Sequence, residues 1–448
     1  MTTDLDDRLS VASVIGAAGK MGSGITLLLA QEMARLSLQP ESRGKTFRLN
    51  AVDLSPAGLA ALREYVHVQA QKSAEKGAVG LRALYADRAD LVENSEIIDD
   101  FVHRVESVVW PSTELSAVKG SRLVFEAIVE KIPVKVAVYK DLKGLCAPDA
   151  FFLTNTSSVP IGLLDGEAGL GGRILGYHFY NPPPVQKLVE IIRSAATRDD
   201  VAAVASELGK RLRKTLIPSR DVAGFIGNGH FIRDGLHGLG EAARLAKAHG
   251  WVKAVHMVNR VSQEWLVRPM GIFQLIDYVG IDVFKFIQDV MNEFLDEELT
   301  DPTIDAMVVR QVLGGQNPDG SQKPGFFGYE KGRIASAYDL DAGAYVAVDP
   351  QGWTAEADAH LGRLPEGYRG WKALSGAPDR DAAIQSHFAA LEKMDTPGAL
   401  IGKAYLRRSR EIAGGLVDSG VAARPEDVNG VLTSGFYHLY GPINEFCP

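Results

Sequence analysis

At 448 residues the chain is long enough for two or three domains with separate cores. Its 48 basic and 56 acidic side chains give a formal charge of -8, so no global field favours nucleic acid or an anionic membrane, and any polyanion must be held locally. Two cysteines cannot build a disulfide framework, no apolar run approaches the ~20 residues that span a bilayer, and the acidic opening MTTDLDDRLS is unlike a targeting peptide, so the expectation is a soluble cytoplasmic protein without membrane insertion.

Residues 11–193 alternate short β-branched runs with helical stretches. VASVI, FRLNAV, SRLVFEAIV, FFLTN, ILGYHFY and KLVEII read as strands, and their alternation with helices predicts an α/β domain of Rossmann type, a mostly parallel sheet within residues 1–214. The first strand runs into Gly16, Gly19 and Gly22. In a strand-to-helix turn one glycine permits the tight bend, a second lets the backbone approach a pyrophosphate, and a third lets helix and strand pack closely. The anion would sit on unpaired N–H groups at the helix start. Lys20 and Met21, between the second and third glycines, count with them as cofactor contacts.

The step from Gly16 to Gly19 is one residue longer than in G-x-G-x-x-G. Asp53 ends FRLNAVD, where a carboxylate would accept hydrogen bonds from an adenosine ribose; the plainer alternative is a cap for the helix that starts at Pro56. QPESRGK (39–45) reads as an inserted surface loop that lengthens the separation of Asp53 from the glycines. An acid at that place would repel a 2′-phosphate, which favours NAD over NADP. Residues 56–105 carry a polar, Ala-rich helical pattern too long for a crossover, and are expected to project as a helical hairpin.

Beyond about residue 215 helical periods take over, which predicts an all-α C-terminal domain. It contains an internal repeat: Val258, Asn259, Arg260, Val261 leading to Met270, Gly271, Ile272 corresponds to Val428, Asn429, Gly430, Val431 leading to Tyr440, Gly441, Pro442, 170 residues on. A duplicated helical unit explains this length, with a substrate and dimerisation domain at 215–332 and a second copy within 333–448. Gly-, Pro- and Asp-rich stretches across 315–380 read as connecting loops.

The densest chemical signal is TNTSSVPIG followed by GYHFYNPPPVQKLVEI, over residues 154–191. Here the sequence resembles the NAD-dependent L-3-hydroxyacyl-CoA dehydrogenase family, whose NTSS, HFFNPVP and KLVE pattern it matches with small changes. The likeness continues in matching order through Gly16–Gly22, EAIVEKIPVK (126–135), DVAGFIGN (221–228) and PGFFGYEKG (324–332).

The resemblance implies a catalytic His178 oriented by Glu190, with Ser157 and Asn228 contacting the substrate. It also implies NAD as cofactor, with Asn155, Glu130 and Lys135 near the nicotinamide, and an acyl-CoA thioester substrate whose phosphates meet Lys76. It carries no metal, and places the activity in fatty-acid β-oxidation. These residue types suit the chemistry. Oxidising a secondary alcohol needs a base as hydride leaves the same carbon, and a carboxylate on the far ring nitrogen fixes the imidazole tautomer.

Plain alternatives stand beside each role: a core histidine at 178, turn caps at Asn155 and Ser158, a solvated helix start at Glu130 and Lys135, and an ordinary helix face around Lys76. The chain departs from the family at Gly229, where Arg is common, and at Pro183 and Gln186, in place of Val and Met. The extra repeat makes either a homodimer or a monomer with internally paired repeats. A dehydrogenase of a small non-CoA hydroxy or sugar acid is the alternative activity, and an NAD-binding scaffold the alternative outside catalysis.

Overall fold

The computed structural model describes residues 4–42, 44–317 and 320–447. Residue 43 of the loop expected at 39–45, and residues 318–319 of the one expected from 315, lie outside the described residues. The chain divides into two compact units, Met1–Asp221 and Val222–Pro448.

The first unit is built on one sheet of eight strands: β1 (Val11–Ile15), β2 (Arg48–Val52), β3 (Val109–Ser112), β4 (Leu123–Glu126), β5 (Phe151–Thr154), β6 (Ile174–Phe179), β7 (Leu188–Arg193) and β8 (Thr215–Arg220). Their order is β3-β2-β1-β4-β5-β6-β7-β8, and every neighbouring pair is parallel except β6 and β7. The central strands LVFE, FFLT and ILGYHF are buried at every position, as expected of a sheet covered on both faces. The two strands absent from the expected set, VWPS and TLIPSR, are the two edges, and each contains a proline. Proline lacks the N–H that a central strand needs on both sides, so edge strands are where it is tolerated, and it masks the strand signal.

Helices Pro56–Lys76 and Asn94–Val108 turn Leu59, Leu62, Val66, Ile97, Phe101 and Val105 into the core that also holds Leu29 and Met33 of helix Lys20–Ser37. A weakly patterned, Ala-rich helix can be buried this way because small side chains allow close approach without a continuous apolar stripe.

The second unit is helical, with one addition: a three-stranded antiparallel sheet of β9 (Phe327–Glu330), β10 (Arg333–Asp339) and β11 (Ala344–Ala347), ordered β11-β10-β9. Together with helices Trp353–Leu361 and Trp371–Leu374, it occupies much of the stretch expected as connecting loops. Most of the described Gly, Pro and Asp residues there lie between elements only four to nine residues long, so composition hid the elements.

The repeat is visible as one clamp built twice. Asn259 Oδ1 accepts from Gln274 N at 3.1 Å, and Asn429 Oδ1 accepts from Ile443 N at 3.1 Å. A Cβ on Gly271 would lie 2.2 Å from Asn259 Oδ1, and one on Gly441 would lie 2.1 Å from Asn429 Cγ. Each copy thus needs an Asn on a helix and a bare backbone twelve residues later.

A buried polar cluster joins the copies. Arg268 pairs with Asp234 at 2.7 Å, Arg268 and His230 both reach Ser409 Oγ, at 3.3 and 3.0 Å, and Tyr405 donates to Asp234 O at 2.8 Å. Burial opposes charge on Asp234, but Arg268 beside it holds the carboxyl below its ordinary range. Burial pushes His230 down to about 4, so its imidazole is neutral in the fold.

Candidate active site

Gly16 follows β1 with φ +78°, and a Cβ there would stand 2.5 Å from Ala127 O. Gly22 packs helix Lys20–Ser37 onto the turn so closely that a Cβ would fall 1.9 Å from Gly16 O. The middle glycine differs. Gly19 precedes the first helical residue, and a Cβ on it would meet nothing nearer than Gly16 O at 3.3 Å. The three glycines therefore divide the work as the motif requires: the bend, the free approach, and the close packing. Lys20 opens the helix on its exposed side, while Met21 packs partly into the core.

Asp53 lies beside this turn. Its Oδ2 accepts from Ala18 N at 3.0 Å and its Oδ1 from Ser55 N at 3.0 Å. Ser55, not Asp53, caps the following helix, accepting from Gly58 N at 3.0 Å. The carboxylate is thus held at the end of β2 against the glycine turn, where a ribose would meet it.

At the end of β4 lies a group that sequence reasoning only half found. Lys135 is 1% exposed, and its ammonium lies 2.6 Å from Glu126 Oε1 and 3.0 Å from Glu130 Oε2. Burial pulls the lysine down, but the two carboxylates outweigh burial and hold it above its ordinary value. The expected alternative of a solvated helix start fails for Lys135, because its charge is enclosed by a matched pair of acids.

Glu126, the missed member, also accepts from Ile128 N at 2.8 Å, Thr154 Oγ1 at 2.7 Å and Tyr139 OH at 3.1 Å. Its signal was available: Glu126 at the end of LVFE, like Glu190 within LVEIIR, places a carboxylate in an apolar strand, which is costly to bury unless paired.

Through Glu130 this ion cluster reaches the NTSS turn. Glu130 Oε1 accepts from Ser157 N at 2.6 Å, Ser157 Oγ at 3.3 Å and Thr156 Oγ1 at 2.9 Å. The hydroxyl of Thr156 in turn accepts from Val159 N at 3.1 Å, so Thr156 closes the turn that had been assigned to Asn155 and Ser158. Asn155 instead bridges strands, its Oδ1 accepting from Phe179 N at 2.9 Å.

His178 and Glu190 face each other in register across the antiparallel pair β6 and β7. His178 Nδ1 is 3.2 Å from Glu190 Oε2, with His178 8% exposed and Glu190 fully buried. The residues read as base and orienting acid are therefore in hydrogen-bonding contact. Tyr180, which the sequence reading passed over, donates its hydroxyl to the same Glu190 oxygen at 2.7 Å.

The neighbouring PPPV run is tied down by Lys214, whose ammonium donates to the carbonyls of Pro183 at 2.5 Å and Gln186 at 2.7 Å. Asn228 lies in the second unit, at the second residue of helix Gly227–His249, and Lys76 is exposed at the end of its helix. Among the described residues no three His, Cys, Asp or Glu side chains converge to hold a metal ion.

A parallel sheet whose first strand feeds a glycine turn and then a helix, with an acid ending the second strand, defines a dinucleotide-binding protein of the Rossmann class. Known proteins narrow that class. The model of the 3-hydroxyacyl-CoA dehydrogenase NAD binding domain matches residues 11–222, and that of the 3-hydroxyacyl-CoA dehydrogenase C-terminal domain matches 224–323. The chain belongs to the 3-hydroxyacyl-CoA dehydrogenase family.

Human mitochondrial hydroxyacyl-coenzyme A dehydrogenase is 33% identical over 235 residues, 52% of this chain and 73% of the human one. A probable 3-hydroxybutyryl-CoA dehydrogenase of Bacillus subtilis is 27% identical over 71% of this chain and 97% of its own. Among solved structures, FadB2 of M. tuberculosis superposes with a TM-score of 0.55 at 28% identity, covering 72% of this chain and 99% of that one. The 3-hydroxybutyryl-CoA dehydrogenase of Escherichia coli K12 shares the fold over 97% of this chain and 90% of its own, with a TM-score of 0.62 at 21% identity. That second likeness extends the common fold through the duplicated copy.

Proposed function

We propose that the chain catalyses the reversible NAD-dependent oxidation of an L-3-hydroxyacyl-CoA to the 3-ketoacyl-CoA, with His178 as general base and Glu190 as the group that orients it. The carrying observation is the His178 to Glu190 contact of 3.2 Å on directly opposed positions of β6 and β7, in the sheet that also carries the glycine turn. The turn fits a dinucleotide, because a side chain at Gly19 would fill the approach that the motif keeps bare, while Gly16 and Gly22 are closed by backbone.

Gly16, Gly19, Lys20, Met21 and Gly22 hold the diphosphate in this reading, Asp53 the adenosine ribose, and Asn155 and Glu130 the nicotinamide end. Lys135 acts from behind, through Glu130. NAD, when bound, supplies the hydride acceptor.

With Nδ1 committed to Glu190, His178 Nε2 exchanges the proton of the substrate hydroxyl. The buried carboxylate stabilises the imidazolium formed on oxidation and returns the neutral ring when the proton leaves. Ser157, held on Glu130 by its backbone N–H at 2.6 Å, turns its hydroxyl from the longer 3.3 Å contact with Glu130 to the reacting oxygen, and Asn228 donates to the same oxygen, whose charge changes along the reaction. Lys76, an exposed cation at a helix end, takes the phosphates of coenzyme A. The compartment in this reading is the cytoplasm. The assembly is a homodimer or a monomer with paired repeats, and the cluster joining Arg268, Asp234 and Ser409 across the two copies supports internal pairing.

The test is NADH-coupled reduction of acetoacetyl-CoA and of longer 3-ketoacyl-CoA substrates. His178→Ala is expected to lose at least ~100-fold in turnover with NADH affinity unchanged, as for removal of a positioned base. Turnover within tenfold of the unaltered protein would refute the assignment.

A further inference from the structure

Tyr180 stands where the family pattern HFFNPVP carries its second phenylalanine, so its hydroxyl is an addition to the site. The phenol is committed to one acceptor. It donates to Glu190 Oε2 at 2.7 Å, the same oxygen that lies 3.2 Å from His178 Nδ1, and its ring centroid lies 4.8 Å from that of His178. A carboxylate oxygen that receives a short hydrogen bond from one donor has less charge to offer a second, more distant one. Burial, reinforced by Glu190, pushes the Tyr180 hydroxyl well above its ordinary value, so it remains a neutral donor throughout the working range.

The geometry points to Tyr180 as a positioning residue that draws part of Glu190 away from His178, and so weakens the carboxylate's support of the imidazolium relative to a phenylalanine-bearing site. This inference rests on His178 being the base. The same hydrogen bond gives Glu190 Oε2 a second fixed contact beside His178.

The other ionisable groups on the neighbouring elements have other partners or face water. Lys214 donates to the Pro183 and Gln186 carbonyls, Lys187 is exposed, and Glu130 is matched with Lys135. Glu190 is the charged group in contact with both rings.

For the oxidation direction, kcat/KM rises as His178 becomes the free base, and removing Tyr180's hydroxyl, by returning Glu190 to the imidazolium, is expected to move that limb to higher pH. The test compares the pH profile of L-3-hydroxybutyryl-CoA oxidation in the unaltered protein and Tyr180→Phe. The expected result is an acid limb displaced upward by about 0.5–1 pH unit, an about three- to tenfold rise in proton affinity at His178, the scale of one charge-assisted hydrogen bond shared between two protonation states. A second measurement needs no turnover: the pH dependence of diethylpyrocarbonate modification at position 178, taken as the difference from His178→Ala, is expected to move by the same amount. Tyr180→Leu, which also deletes the ring, is expected to shift in the same direction.

Superimposable profiles in both measurements, or a downward shift, overturn the role of Tyr180. If His178→Ala is inactive and the profiles coincide, only this inference falls. If His178→Ala keeps its turnover, it is the assignment of the base that fails.

Discussion

Lys135→Met tests the arrangement behind the NTSS turn. The lysine is enclosed between Glu126 and Glu130 at 2.6 and 3.0 Å, with 1% of its surface exposed. Removing one member of a buried ion group costs about 3–5 kcal/mol, because the partner charge remains without compensation. Glu126 keeps three other donors, Ile128 N, Thr154 Oγ1 and Tyr139 OH, which argues for the lower part of that range. What remains unbalanced is the repulsion between the two carboxylates.

For a unit of this size the loss corresponds to a fall in Tm of about 6–20 °C, resolvable by calorimetry as a shift in the transition of the first unit. Glu126→Gln added to Lys135→Met removes the repulsion and is expected to recover at least half of the deficit at neutral pH. A loss below about 1 kcal/mol, or a double variant no more stable than the single, refutes the reasoning that the ion cluster of Lys135, Glu126 and Glu130 supports the turn.

Two further outcomes follow from the second unit. His230 is neutral in the fold, with its pKa depressed to about 4. Its contribution is therefore present above the unfolded value near 6.5 and is lost as pH falls toward 4, an effect on the order of 3 kcal/mol for a fully buried group. Chemical denaturation of the unaltered protein should show this loss, and His230→Gln should flatten the slope; equal slopes in the two proteins would contradict it.

Gly229→Arg restores the residue common in the family, but here a Cβ at 229 would already lie 3.1 Å from Leu416 Cδ2, on the helix that opens the second copy. The substitution is expected to cost about 1–3 kcal/mol by overpacking, read as a lowered Tm of the second unit. An unchanged Tm would show that the second copy does not exclude that side chain.

Much of the active site was legible in the chain itself. The glycine turn, Asp53, and the strands that carry His178 and Glu190 follow from rules in which local residue type dictates local conformation. A bare backbone is needed where Gly16 bends and Gly22 packs, and a His or Glu within an apolar strand must find a partner when buried. The repeat was legible for the same reason, since each copy needs its own Asn and Gly at one spacing.

Tertiary structure alone decided the rest, because those features depend on atoms distant in sequence. Register across an antiparallel pair put Tyr180 on the oxygen shared with His178, and the convergence of β4, β5 and the helix Ile132–Leu145 enclosed Lys135 between two acids. The edge strands and the small sheet at 327–347 escaped because their prolines, glycines and short lengths resemble loops, and only pairing with neighbouring chain segments makes them strands.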